Sequence, residues 1–542
     1  MNPLKDLPGN IRERFSAIAL VWISFVISMG KPWESLLQAW DSALHARIAL
    51  QVSSGGLLPV LPGRWANLDL PSAIYNDHPF PLFYLSGKFM RLFGANAWSA
   101  RFIPSLFGVL SVWLLYRIVK KQFHHGVALL ASLLFLLTPM WFQNTARFQL
   151  DPAMIFWILL SFGLWREVHA DPQRVRTGHA LLAGLSAGMA AAFKTPVGFL
   201  ILPVALLTDL VLSRNRTRKP WIPWLVLAAA SLLPPLLVWK IAADAGGIGL
   251  VRDYFERQVL GTAVGGRGIG SSRDYFYFWG VLRLSWLPGL LLGALSLAAL
   301  LILRLKARMP LATPWGRDLK LHAAATGVLV VTLSCLRFKY PYYFLPVFPF
   351  VSVLVACIVD AAFRAAGRNF NGRTLDSLLI PAGFALPLLL VILPVQLTAE
   401  QFPALRKFIP YIQTRSAPSD RVLYINHAQP YGNGGDAYPE IAFYTGLTFA
   451  SSPCEAAPPK IAGLQPEWII TSGKSAADCI PADLLKSYPL RLKAGNQFLL
   501  SRHVPESRED GAFDLTPLYR ELEATVDRDP PPLPATPFYK YE

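Results

Sequence analysis

Trp286-Leu287-Pro288-Gly289-Leu290-Leu291-Leu292-Gly293-Ala294-Leu295-Ser296-Leu297-Ala298-Ala299-Leu300-Leu301-Ile302-Leu303 carries no charged side chain, and Arg304-Leu305-Lys306 follows it directly. About twenty apolar residues in a helix match the hydrocarbon thickness of a bilayer, and cations at one end mark the cytoplasmic flank. The same grammar repeats along the chain. Apolar runs lie near 15–30, 101–118, 127–143, 152–165, 179–193, 197–212, 222–241, 281–303, 321–337, 343–362 and 376–397. That makes about eleven spans. The 542 residues are 53% hydrophobic and 16% charged, with mean hydropathy +0.37. A soluble protein of this size would be more polar. The fold class is therefore an α-helical polytopic membrane protein.

Charge sorts the loops. Under strict alternation Lys120-Lys121, Arg166/Arg174/Arg176, Arg214/Arg216/Arg218/Lys219, Arg304/Lys306/Arg308/Arg317/Lys320 and Arg364/Arg368/Arg373 fall on one side. That is the positive-inside pattern. It also accounts for the net charge of +17 without a nucleic-acid partner, since the cations sit in short loops. Lys5, Arg12 and Arg14 precede the first run, and Met29-Gly30-Lys31-Pro32-Trp33 is a poor cleavage site, so the first helix reads as uncleaved. Residues 31–100, 147–151, 242–280, 339–343 and the C-terminal region then share the opposite, external side.

Three parts follow: a transmembrane domain over 1–397, whose first external loop is 31–100; a small external α/β domain over 398–503; and a tail over 504–542. Phe402–Gln413 reads as a helix and Arg421–Asn426 and Trp468–Thr471 as buried strands. Asp529-Pro530-Pro531-Pro532-Leu533-Pro534 is incompatible with a packed element. Phe80–Phe93 is apolar but carries Lys88 and Arg91, which suits an interfacial or re-entrant segment better than a span. Cys335 and Cys357 lie in apolar runs as packing residues. Cys454 and Cys479 fall in the external part, where a disulfide can form; two free thiols is the alternative. The glycines of Gly261–Gly270 do not link a strand to a helix, so no dinucleotide loop is read there.

The chemistry gathers on the external side. In Leu36–Ile48, Trp40, Leu44 and Ile48 recur at helical spacing, while Asp41 and His45, four apart, share another face. The same side holds His78, Arg147, Asp151, Lys194, Arg267, Arg273, Lys339 and Tyr343. Ionisable groups at the mouth of a helix bundle usually have a function. Two carboxylates from separate loops among cations and aromatics suit transfer of a group from a lipid phosphate: one carboxylate takes the acceptor proton and the cations hold the departing phosphate. Bland readings stand beside these. Asp41 caps an interfacial helix, Asp151 before Pro152 is an N-cap, Lys194 snorkels, Arg147 anchors, and the tyrosines form an interfacial belt. His45 and His78 have no standard metal-ligand spacing.

Seven segments, in order, resemble one family. These are Asp41 with Ala43 and Ile48-Ala49; Tyr75–Leu82; Gly94 with Ala100-Arg101-Phe102-Ile103-Pro104-Ser105; Ala146-Arg147 with Asp151; Gly184 with Phe193-Lys194-Thr195-Pro196-Val197-Gly198 and Pro203; Arg273–Phe278 with Trp286-Leu287-Pro288; and Lys339–Pro346. Together, over about residues 15–360, they resemble the polyprenyl-phosphate-sugar-dependent glycosyltransferases of the C-type fold, including lipid A aminoarabinose transferases and protein O-mannosyltransferases. The resemblance implies an inverting transferase of the bacterial inner membrane with a periplasmic site and C-terminus. Asp41 would be its catalytic carboxylate and Asp151 the acidic partner. Lys194, Arg273, Lys339 and Tyr343 would hold the lipid phosphate, with His45, His78, Arg147 and Arg267 as further substrate contacts. The partners implied are a polyprenyl-phosphate sugar, a lipid or protein acceptor and membrane lipids. No cofactor is implied, and a divalent metal is conceivable only near His78. The chain departs from the family at Ser42, where a Glu is usual, and at His78, where a Lys is usual. A flippase of lipid-linked sugars and a membrane-anchored binding platform are the competing readings. The first calls for inverted repeats and polar groups at the midplane, which the sequence lacks.

Overall fold

The computed structural model describes residues 8–29, 37, 40–55, 77–168, 176–212, 221–265, 274–307, 316–368, 370, 372–392, 405–426, 438–472, 479–494 and 497–503. Arg267, Arg273 and the tail 504–542 lie outside the described residues. The protein is mostly helical. Its helices are α1 (Gly9–Met29), α2 (Trp40–Val52), α3 (Pro81–Phe93), α4 (Ala97–Gln122), α5 (His125–Leu136), α6 (Pro139–Thr145), α7 (Asp151–Val168), α8 (Thr177–Phe193), α9 (Ile201–Leu212) and α10 (Trp221–Gly246). They continue as α11 (Ile248–Asp253), α12 (Gly261–Val264), α13 (Tyr277–Ser285), α14 (Leu287–Ala307), α15 (Gly316–Cys335), α16 (Phe348–Ala365) and α17 (Arg373–Ile392). The last four are α18 (Leu405–Arg415), α19 (Tyr438–Thr445), α20 (Ala457–Leu464) and α21 (Ala482–Leu485).

The chain divides into two compact units. The first is Met1–Pro32, Asn76–Ser86 and Arg101–Thr398; the second is Trp33–Tyr75, Gly87–Ala100 and Ala399–Glu542.

In the first unit, α8 packs on α7 and α10, α16 on α5, α14 and α15, and α1 on α17. The α8–α10 contact is close because Gly184 and Gly188 face the Leu227 and Ser231 carbonyls, which a Cβ at either glycine would strike. Small residues four apart let apolar helices approach where no hydrophobic effect drives them together. The stretch quoted at the outset is one helix from Leu287 onward. Pro288 sits in its first turn, where a missing N–H leaves no bond unmade. Leu291, Leu295, Ile302 and Leu305 of α14 are exposed, and Gly293 faces Val355 of α16. Among the described residues five helices are long and apolar enough to cross a membrane, and the α5–α6 pair, bent by 70°, makes a sixth.

The second unit contains a five-stranded sheet. Its strands are β1 (Arg421–Asn426), β2 (Thr448–Pro453), β3 (Trp468–Ser472), β4 (Leu490–Ala494) and β5 (Gln497–Ser501), in the order β2-β1-β3-β5-β4. β1 pairs in parallel with β2 and β3, while β5 pairs antiparallel with β3 and β4. Side chains alternate across β1, as a strand requires. Val422 and Tyr424 join Leu405, Phe408 and Ile412 of α18 in one apolar cluster. Leu423 and Ile425 join Ile461 of α20 and Leu485 of α21 in another. Cys454 and Cys479 are disulfide-bonded.

The helix containing Asp41 differs from the amphipathic helix expected of it. Ser42, Ala43, Leu44, His45 and Ala46 are consecutive and all buried, so α2 is enclosed around its circumference instead of lying on a surface along one stripe.

Candidate active site

In the first unit, the turn Ala146–Leu150 delivers the chain into α7 at Asp151. Ser105 donates to the Thr145 carbonyl at 2.6 Å, and Phe148 packs against Phe83 with ring centroids 6.1 Å apart. Both contacts fix the approach to Asp151. α8 ends at Phe193 because Thr195-Pro196 cannot extend it. That ending places Lys194 at its tip.

The two residues meet. Lys194 Nζ donates to Asp151 Oδ1 at 2.5 Å, with Asp151 0% and Lys194 5% exposed. Lys194 Nζ also stands 5.0 Å from the Tyr342 ring and 5.9 Å from the Tyr343 ring, within cation–π range. These rings lie on the turn Pro341–Val347, where Tyr340 stacks on Tyr342 at 5.2 Å. Asp151 Oδ2 is buried without a hydrogen bond among the described residues. A lysine with one carboxylate bond and two further N–H donors can hold an anion.

A further segment braces this arrangement. Residues Tyr254–Leu260 form a π-helical turn. Tyr254 Oη donates to the Lys194 carbonyl at 3.3 Å, and burial pushes its phenol pKa up. Arg257 pairs with Asp77 at 2.7 Å, and Gln258 donates to the same carboxylate at 2.6 Å. The next residues, Thr262 and Ala263, accept backbone bonds from Phe338 and Arg337 at 3.1 and 3.2 Å. Those residues lead into Lys339, whose Nζ donates to the Asp274 carbonyl at 3.0 Å. Burial lowers the Lys339 pKa.

Of the sequence-derived site residues, Asp151, Lys194 and Tyr343 converge. Arg147 is half-buried in the turn before Asp151, and His78 is half-buried beside Asp77. Asp41 and His45 belong to the second unit. His45 is buried. Asp41, in the first turn of α2, is half-buried and makes no hydrogen bond or ion pair among the described residues. Among the described residues no three His, Cys, Asp or Glu side chains gather as a metal-ligand set. Tyr254, Asp77, Arg257, Gln258 and Tyr342 were not singled out by sequence. Asp77 and Tyr342 lay within quoted motifs, whereas nothing local distinguishes Tyr254, Arg257 or Gln258.

This architecture has a solved counterpart. The structure of ArnT from Cupriavidus metallidurans bound to undecaprenyl phosphate aligns with 90% of this chain and 97% of that one, with TM-score 0.64 and 14% identity. The chain has the C-type glycosyltransferase fold. The apo structure of the same enzyme aligns with the C-type fold seen here at TM-score 0.63 and 15% identity. Residues 77–239 match the dolichyl-phosphate-mannose-protein mannosyltransferase family model. An undecaprenyl phosphate-alpha-4-amino-4-deoxy-L-arabinose arabinosyl transferase of Pseudomonas aeruginosa is 27% identical over 245 residues, 44% of each protein. A Bacillus subtilis protein, YycA, whose name proposes a mannosyltransferase, is 32% identical over 182 residues, 33% of this chain and 26% of its own length. The chain thus spans less than half of the length of these curated relatives.

Proposed function

We propose that this chain is an inverting membrane glycosyltransferase that moves one sugar from a polyprenyl-phosphate donor to an acceptor on the periplasmic face of the inner membrane. The acceptor class is lipid A, a protein or another glycan. The observation that carries the reading is the Asp151–Lys194 pair on the Tyr342–Tyr343 platform, a buried cation held ready at the end of a helix. In this reading about eleven spans form the bundle, consistent with the helices that occupy every apolar run. Residues 398–503 form a periplasmic α/β domain.

The two carboxylates then separate by role. Asp151 has its charge matched by Lys194 and orients that lysine. Asp41, without such a partner among the described residues, takes the proton from the acceptor hydroxyl or amine. The acceptor lone pair attacks the anomeric carbon as the carbon–oxygen bond to phosphate breaks, and the electron pair leaves on the phosphate oxygen. Lys194 and Lys339 offset the charge that develops there. Attack opposite the phosphate inverts the anomeric centre, and the oxocarbenium-like transition state gains from nearby carboxylate charge. Purified protein supplied with polyprenyl-phosphate sugar and envelope acceptors should release polyprenyl phosphate and yield a product of inverted anomeric configuration by NMR. Retained configuration, or no transfer from any lipid-phosphate sugar, would rule the reading out.

A further inference from the structure

We infer that the sheet-bearing part of the second unit is a positioning device for the helix that carries Asp41, with Tyr444 and the Gly446 carbonyl as its grip. This rests on the proposed role of Asp41 as base. A 13-residue helix is marginal alone in water, so packing must fix where α2 stands. The Tyr444 hydroxyl, at the end of α19, accepts the backbone N–H of Leu37 at 2.9 Å just before α2 begins. Further along, Arg47 donates to the Gly446 carbonyl at 3.2 Å. The body of α19 packs on α2, and Gln413 of α18 donates to the Tyr444 carbonyl at 2.6 Å, tying that helix end to the sheet's own layer.

The far end of α2 is held separately. Lys88 of α3 donates to the Gly55 carbonyl at 2.6 Å, and Arg91 to the Leu50 carbonyl at 2.7 Å and Ser53 Oγ at 3.0 Å. Gly87 permits this approach, since a Cβ there would collide with the Ala49 carbonyl. The helix is thus anchored before, along and after its length, while the Asp41 carboxylate has no hydrogen-bond or ion-pair partner among the described residues. A general base needs a fixed backbone and a free side chain, because small misplacements of a reacting group cost large factors in rate. A domain that only selected the acceptor would not need to hold α2 at Leu37.

The test compares full-length Tyr444→Phe and Arg47→Met with wild type and with Asp41→Asn. Tyr444→Phe keeps the ring and removes the hydroxyl. The expected result is a kcat lower by roughly tenfold, with donor and acceptor KM within about twofold, and a similar kcat-selective loss for Arg47→Met. A raised acceptor KM with unchanged kcat, or no change in either variant while Asp41→Asn is inactive, overturns the inference alone. Wild-type turnover in Asp41→Asn instead overturns the assignment of the base.

Discussion

Replacing Asp151 by Asn should destabilise the first unit far more than replacing Asp151 and Lys194 together. At 2.5 Å the gross attraction is about 7 kcal/mol with an effective dielectric near 20. Desolvating the two groups costs several kcal/mol each, so the intact pair contributes little net stability. Removing one partner is different, because it leaves a buried charge uncompensated at a cost of about 3–5 kcal/mol. Asp151→Asn leaves the lysine, 5% exposed, with only the tyrosine rings as electrostatic partners named above. The double variant Asp151→Asn/Lys194→Met leaves no net charge and keeps comparable side-chain volume. Thermal unfolding in detergent micelles, followed by tryptophan fluorescence, should show a Tm drop of roughly 5 °C or more for each single variant. The double variant should recover most of it, giving a coupling energy at least as large as either single loss. Transfer activity should not recover with the Tm, because the cation is gone. Additive losses, or single variants within about a degree of wild type, would refute the idea that these two charges neutralise each other in a dry site.

Other consequences can be checked separately. Burial lowers the Lys339 pKa below 10.5, so any donor affinity that depends on its charge should fall as pH rises through that lowered value. Lys339→Arg should keep the affinity to higher pH in a donor-KM titration. The sign for stability is the reverse: the penalty for burying the protonated amine is greatest below the lowered pKa and fades as pH rises toward 10.5. Cys454 and Cys479 close a loop of sequence separation 25, so Cys454→Ser should destabilise the sheet by about 3 kcal/mol, read as earlier proteolysis of the second unit on warming. Gly188→Val should force α8 off the Ser231 carbonyl and lower the Tm through overpacking by about 1–3 kcal/mol.

The apolar helices were legible because eighteen uncharged residues such as Trp286–Leu303 permit few other structures. β1 and β3 were legible because Val422, Ile425, Ile469 and Ile470 concentrate β-branched side chains in short runs bounded by polar residues. β2, with Thr448 and Ser451-Ser452, carries no such signal; its pairing with β1 gives it strand form. The residues that converge at the site were each visible as charges or aromatics flanking apolar runs. Their partnership was not, because Asp151 and Lys194 are 43 positions apart and meet only through the packing of α8 on α7. The surroundings of α2 were misjudged for the same reason. Periodicity reports one apolar face, whereas α3 and α19 enclose the helix from more than one direction.

The most direct measurement is single-turnover transfer by purified Asp41→Asn enzyme from a polyprenyl-phosphate sugar, with donor binding measured in parallel. Loss of a general base should lower the rate by at least about a hundredfold while donor affinity stays within a few-fold of wild type. Transfer at the wild-type rate by a variant that cannot accept the proton would contradict the assignment of Asp41.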